Sequence, residues 1–98
     1  RVRFERAPRF GIVGKSVDMT YRVIDAGAEV QYVDTHAPHI HLDSGRERDS
    51  LADPAGFHPD VVLVHTRHHD CDLDWLDGEA VVLDGTYRSS DIAGRVLL

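Results

Sequence analysis

Four short apolar runs, separated by helix-sized or loop-sized polar stretches, set the pattern of this chain. They are Phe10-Gly-Ile-Val-Gly14, Ala28-Glu-Val-Gln-Tyr-Val33, Val61-Val-Leu-Val64 and Ala80-Val-Val-Leu83. All are rich in β-branched residues. The first, third and fourth are continuous, which predicts strands buried on both faces. The second partly alternates and is expected nearer a sheet edge. Between the first two runs, residues 16–26 predict a helix. Ser16 is its N-cap, Asp18 lies in the first turn where the helix dipole favours an anion, and Gly27 is its C-terminal stop. Val17, Tyr21 and Ile24, at i, i+4 and i+7, give that helix an apolar face. Strand, helix and strand in this order make a βαβ unit.

The remaining stretches are less regular. Pro38, Gly45, Pro54, Gly56 and Pro59 leave room for one short helix over residues 46–52, halted before Asp53-Pro54. A turn of helix is predicted over residues 72–76, with Asp72 as cap and Leu73, Trp75 and Leu76 facing inward. Residues 85–94 read as a polar loop, and residues 95–98 as either a fifth strand or a packed tail. The expected architecture is α/β: one three-layer, Rossmann-like domain over residues 1–98, with a short parallel sheet of four or five strands.

Composition narrows the classes. At 98 residues, 42% hydrophobic and 29% charged, the chain is an ordinary globular mixture, not a collagen-like or disordered one. No apolar run is long enough for a membrane span. Arg1, Arg3, Arg6 and Arg9 against Glu5 give residues 1–10 a net +3, leaving −9 for the rest of a chain whose total is −6. So acidic a body has no footprint for nucleic acid. One cysteine, Cys71, cannot close an internal disulfide, and no leader-like segment opens the chain, so the cytoplasm is the expected compartment. Asp70 and Asp72 flank Cys71 and disfavour a thiolate, so no catalytic role is expected of it.

Ligands of open α/β sheets bind beyond the carboxyl ends of the strands. Those ends carry Gly14-Lys15-Ser16, Asp34-Thr35-His36, His65-Thr66-Arg67 and Asp84-Gly85-Thr86. Lys15, beside a helix N-terminus, and Arg88, in the loop after the fourth run, form a candidate pair for a phosphate or diphosphate. The alternative leaves Lys15 solvated and Arg88 paired with Asp84 or Asp91. In a complete dinucleotide fingerprint Asp34 would bond a ribose hydroxyl, but Gly11-Ile-Val-Gly14 lacks the full glycine pattern, so no direct NAD site is expected. Histidines fall in two groups, His36, His39 and His41, and His65, His68 and His69. With Asp43, Asp70 and Asp72 they offer zinc-type ligands. The first group is read as lying in a Pro-containing loop with nothing to fix its geometry, so no metal site is assigned.

Two stretches resemble the C-terminal, UDP-binding domain of the UDP-glucose/GDP-mannose dehydrogenase family. One is Ala26-Gly-Ala-Glu-Val-Gln-Tyr-Val-Asp-Thr-His-Ala-Pro38, similar to the family's helix end, strand and following turn, with Thr35 where a Pro is usual. The other is Asp60-Val-Val-Leu-Val-His-Thr-Arg-His-His-Asp70, running on to Leu83-Asp-Gly-Thr-Tyr-Arg88. The family's loop after the first strand is shortened here. The resemblance implies a domain that clamps the UDP moiety of a UDP-sugar against an N-terminal dehydrogenase domain, with Lys15 and Arg88 at the phosphates. It also implies NAD bound by that separate domain, oxidation of a sugar alcohol to a carboxylate by the whole enzyme, and a homo-oligomer. A chain beginning at Arg1 is then expected to be one piece of a larger enzyme, inactive alone and with no catalytic residue of its own. A stand-alone interaction module or a His-rich metal-binding module is the competing expectation.

Overall fold

A computed structural model describes residues 7–42, 45–68, 73–76, 80–86, 91–92 and 94–97. Its elements are β1 (Arg9–Val13), α1 (Val17–Asp25), β2 (Glu29–Val33), β3 (His39–His41), β4 (Glu47–Asp49), α2 (Pro54–Phe57), β5 (Val61–Val64), β6 (Val81–Asp84) and β7 (Val96–Leu97). Five strands form one sheet in the order β2-β1-β5-β6-β7, and each neighbouring pair is parallel. The fold class is α/β. Residues 96–97 are thus a fifth strand, and β2 occupies an edge as its alternation predicts.

The continuous runs earn their two-sided burial. Ile12 and Val13 are both buried, yet they point to opposite faces and join different cores. On one face Ile12, Val30 and Tyr32 pack with Ile40 and Leu42, and with Met19, Val23 and Ile24 of α1. On the other, Val13, Val62, Val64 and Val82 meet Leu73, Trp75, Leu76 and Ile92. Residues 73–76 form a turn, not the turn of helix expected, closed by Leu76 N–H donating to Leu73 O, and Leu73, Trp75 and Leu76 face inward as expected.

Helix α1 begins as predicted. The Ser16 hydroxyl accepts from Met19 N–H at 3.2 Å, and Gly27 follows the helix at φ +95°. The buried stripe is corrected, however. Val17 and Tyr21 are exposed, while Met19, Val23 and Ile24 pack inward and Thr20 is buried. Both stripes have helical spacing, and the contour of β1 and β2 selects between them. Tyr21 instead lies under the Arg46 guanidinium, 5.2 Å from its ring centre.

The helix expected over residues 46–52 is also corrected. Residues 47–49 are strand β4, paired antiparallel with β3 through His39↔Asp49, Ile40↔Arg48 and His41↔Glu47. Burial of Ile40 and Leu42 against Tyr32 and Val30 outweighs local helix preference. The Asp53-Pro54 step starts a helix and does not merely end one: Asp53 accepts from Gly56 N–H, and Pro54 is the first residue of α2. Among the described residues, no helix is long and apolar enough to cross a membrane.

Candidate functional site

All strands of the sheet run the same way, so their carboxyl ends share one edge. The chain leaves β1 for β2 on one side and returns to β5 on the other, so the winding reverses at β1. Such a reversal spreads the exit loops and opens a crevice. A cavity of about 350 Å³ lies there, lined by Gly14, Val33, Asp34, Thr35, Leu51, Ala52, Pro54, Thr66, His68 and Trp75.

Three loops are tied together by one carboxylate. Asp34 is buried, and its Oδ2 accepts from Lys15 N–H at 2.8 Å and pairs with His68 Nε2 at 3.3 Å. Its Oδ1 accepts from His36 N–H at 2.9 Å, and its own N–H donates to the Ser50 hydroxyl at 2.8 Å. Burial pushes the carboxyl up, but the bonds from Lys15, His36 and His68 outweigh it, and the net shift is below the usual aspartate value. A carboxylate offers about four lone-pair sites. Three are taken by bonds from the described residues, so Asp34 serves first to tie these loops together.

A folded-state value below the unfolded one stabilises the protein above the unfolded value, and that contribution is lost as pH falls through the folded one. The expected result is that Asp34→Asn lowers stability at neutral pH by about 2 kcal/mol, the scale of hydrogen bonds to a charged group. The gap to the unaltered chain then narrows as pH drops through and below about 3.9, the ordinary aspartate value. Urea unfolding at neutral and acid pH measures it; a gap constant with pH removes Asp34 from the account.

Of the two cations expected at the site, Lys15 is exposed. It contributes its backbone N–H, and its side chain is not part of the cavity wall. Arg88 lies outside the described residues. Asp84 and Asp91, its proposed alternative partners, are held by Arg95 at 2.7 Å and by Arg67 through two bonds at 2.7 and 3.0 Å. The Arg67 guanidinium keeps Asp91 below the ordinary carboxylate range.

The histidines regroup in space. His36 and His68, from different groups of the sequence, stack with ring centres 4.2 Å apart beside Asp34. His39 and His41 lie on β3, which corrects their placement in a loop. Cys71, His69, Asp43, Asp70 and Asp72 lie outside the described residues.

Sequence reasoning missed the wall formed by Leu51, Ala52 and Pro54, because it assigned that region to a helix and its end. It named Trp75 only as an inward-facing residue. Trp75 lines the cavity, and its indole N–H has no hydrogen-bond partner among the described residues. The Asp34-Thr35-His36 and His65-Thr66-Arg67 strand ends do converge, supplying Asp34, Thr35 and Thr66 to one wall. Comparison with family models, curated proteins and solved structures found no match for this chain.

Proposed function

We propose that this chain is the UDP-sugar-binding domain of an NAD-dependent nucleotide-sugar dehydrogenase, similar to the C-terminal domain of the UDP-glucose/GDP-mannose dehydrogenase family. The single observation that carries this reading is the cavity at the winding reversal. Its wall includes Val33, Asp34, Thr35, Thr66 and His68, from the two segments whose sequence resembles that family. A volume of about 350 Å³ falls at the small end of ligand pockets. It suits a nucleoside better than a whole nucleotide sugar.

In this reading the domain is Rossmann-like and three-layered. The Trp75 side chain, part of the cavity wall, packs against the base. Asp34, on the cavity wall, takes a ribose hydroxyl, and the diphosphate extends toward the N-terminus of α1, Lys15 and Arg88. The sugar projects into a cleft completed by a separate dehydrogenase domain, which holds NAD and the catalytic groups. The proposed assembly is a homo-oligomer working in the cytoplasm.

The chain has one tryptophan, so its fluorescence reports directly on the cavity. UDP is expected to change that fluorescence saturably with a dissociation constant near millimolar, about −4 kcal/mol, because half of the cleft is missing. Amide shifts are expected at Gly14, Thr35 and Thr66. Silence at all three positions in millimolar UDP overturns the proposal.

A further inference from the structure

Strand β3 reads His39-Ile40-His41, and its period of two turns Ile40 into the core while both imidazoles face solvent. Across the hairpin Glu47 stands opposite His41, and Asp49 opposite His39. The four polar side chains therefore share one face. Glu47 Oε1 lies 3.0 Å from His41 Nδ1 and 3.4 Å from His39 Nε2. One ligand atom from each of these three residues falls within a sphere of 4.8 Å separations. Donors bound about 2.0–2.2 Å from a tetrahedral zinc ion are about 3.3 Å apart, so small side-chain adjustments bring all three onto one ion.

We infer that this face of the hairpin is a divalent transition-metal site, with His39 Nε2, His41 Nδ1 and Glu47 Oε1 as ligands. Two imidazoles and one carboxylate form a donor set suited to Zn²⁺, with the fourth position open to water. The arrangement includes an outer partner as well. Asp49 Oδ1 sits 2.5 Å from His39 Nδ1, the far side of the ring from Glu47. A carboxylate there accepts a hydrogen bond from Nδ1–H, fixes the tautomer with its lone pair on Nε2 and makes the ring a better metal ligand. Both strands are three residues long, and an ion bridging them clasps the hairpin. The residue after β4, Ser50, accepts from Asp34 N–H, so the clasp also steadies the loop that supplies Leu51 and Ala52 to the cavity wall. This inference stands on the hairpin alone and is independent of the ligand proposed for the cavity.

The test is calorimetric titration of the untagged chain with zinc chloride, and with cobalt(II) chloride followed by visible absorption. The expected result is one ion per chain at micromolar affinity or tighter, with cobalt bands of a low-coordinate site and a thermal midpoint raised by zinc. Asp49→Asn removes the outer partner and is expected to weaken binding about tenfold; His41→Asn and Glu47→Gln, which remove ligands, weaken it by about a hundredfold or more. His58→Asn, outside the cluster, leaves it unchanged. Circular dichroism of each variant separates lost binding from lost folding, and Asp49→Asn retains every ligand. Zinc binding that survives both ligand substitutions, binding lost equally in His58→Asn, or the absence of stoichiometric binding overturns the inference.

Discussion

Gly14→Ala is expected to lower the stability of this domain by about 4 kcal/mol, at the extreme of what a single substitution does. Two physical effects combine. Gly14 sits at φ +89°, where an L side chain adds about 1–2 kcal/mol of strain. A Cβ at this position would also lie 2.4 Å from Thr66 O, 2.7 Å from Thr66 Cβ and 2.8 Å from Thr66 N. The first and last of these are backbone atoms, and Thr66 N–H already donates to Val13 O, so the neighbour cannot rotate away. The exits of β1 and β5 would have to separate, which widens the floor of the cavity as well. Gly27 supplies the control, because it has φ +95° but nothing within 4 Å of an added Cβ. Gly27→Ala is expected to cost only the conformational part, about 1 kcal/mol. Urea unfolding of the two variants side by side measures the difference. Equal losses would show that the close approach of Gly14 to Thr66 is not a constraint on the fold.

The same glycine illustrates what was legible beforehand. Its place at a strand end follows from the β-branched run before it and the Ser16 cap after it, both local features. The contact with Thr66 does not, because it depends on β5 returning beside β1 across some fifty residues (Gly14 to Thr66). Local signals located β1, α1, β2, β5 and β6 to within a residue or so at each end. The β3–β4 hairpin escaped because its alternation, His39-Ile40-His41-Leu42, is only four residues long and is bracketed by Pro38 and Gly45. What makes it a hairpin is the apolar ground offered by Val30 and Tyr32, a tertiary fact. The packed stripe of α1 was misjudged for the same reason: two stripes were available, and the sheet chose.

The candidate site divides similarly. Parallel topology brings Gly14, Asp34, Thr35 and Thr66 to one edge, and the order of the runs was enough to nominate all four. The roles are another matter. Asp34, considered only for the ribose of a complete dinucleotide site, is first a tie between three loops, which no spacing reveals. Lys15, nominated as a phosphate-binding cation, contributes a backbone N–H to that tie. Arg95 attracted no attention in a chain with ten arginines, yet it pairs with a fully buried carboxylate.

That placement carries the second large expected effect: Arg95→Met should destabilise the protein by about 3 kcal/mol and do so unevenly. Asp84 has no solvent exposure, accepts from Thr86 N–H at 2.9 Å and Thr86 Oγ1–H at 2.6 Å, and meets Arg95 Nη1 at 2.7 Å. Removing one partner of a buried ion pair usually costs about 3–5 kcal/mol; the bonds Asp84 keeps, those from Thr86 among them, put this case at the lower end. Asp84 ends β6 and pairs in register with Leu97 of β7, while Arg95 immediately precedes β7. The ion pair therefore bolts the last strand to the sheet. Burial cannot do so alone, because Val96 and Leu97 are 49% and 50% exposed. Amide exchange in Arg95→Met should thus accelerate first at Val96 and Leu97, with Val62 and Val64 changed least. A double-mutant cycle separates the charge from the packing: in an Asp84→Asn background, Arg95→Met should have a much smaller effect, because no buried charge is then abandoned. If the effect is undiminished in that background, Arg95 holds β7 by contacts of its stem, and the charge pair is incidental.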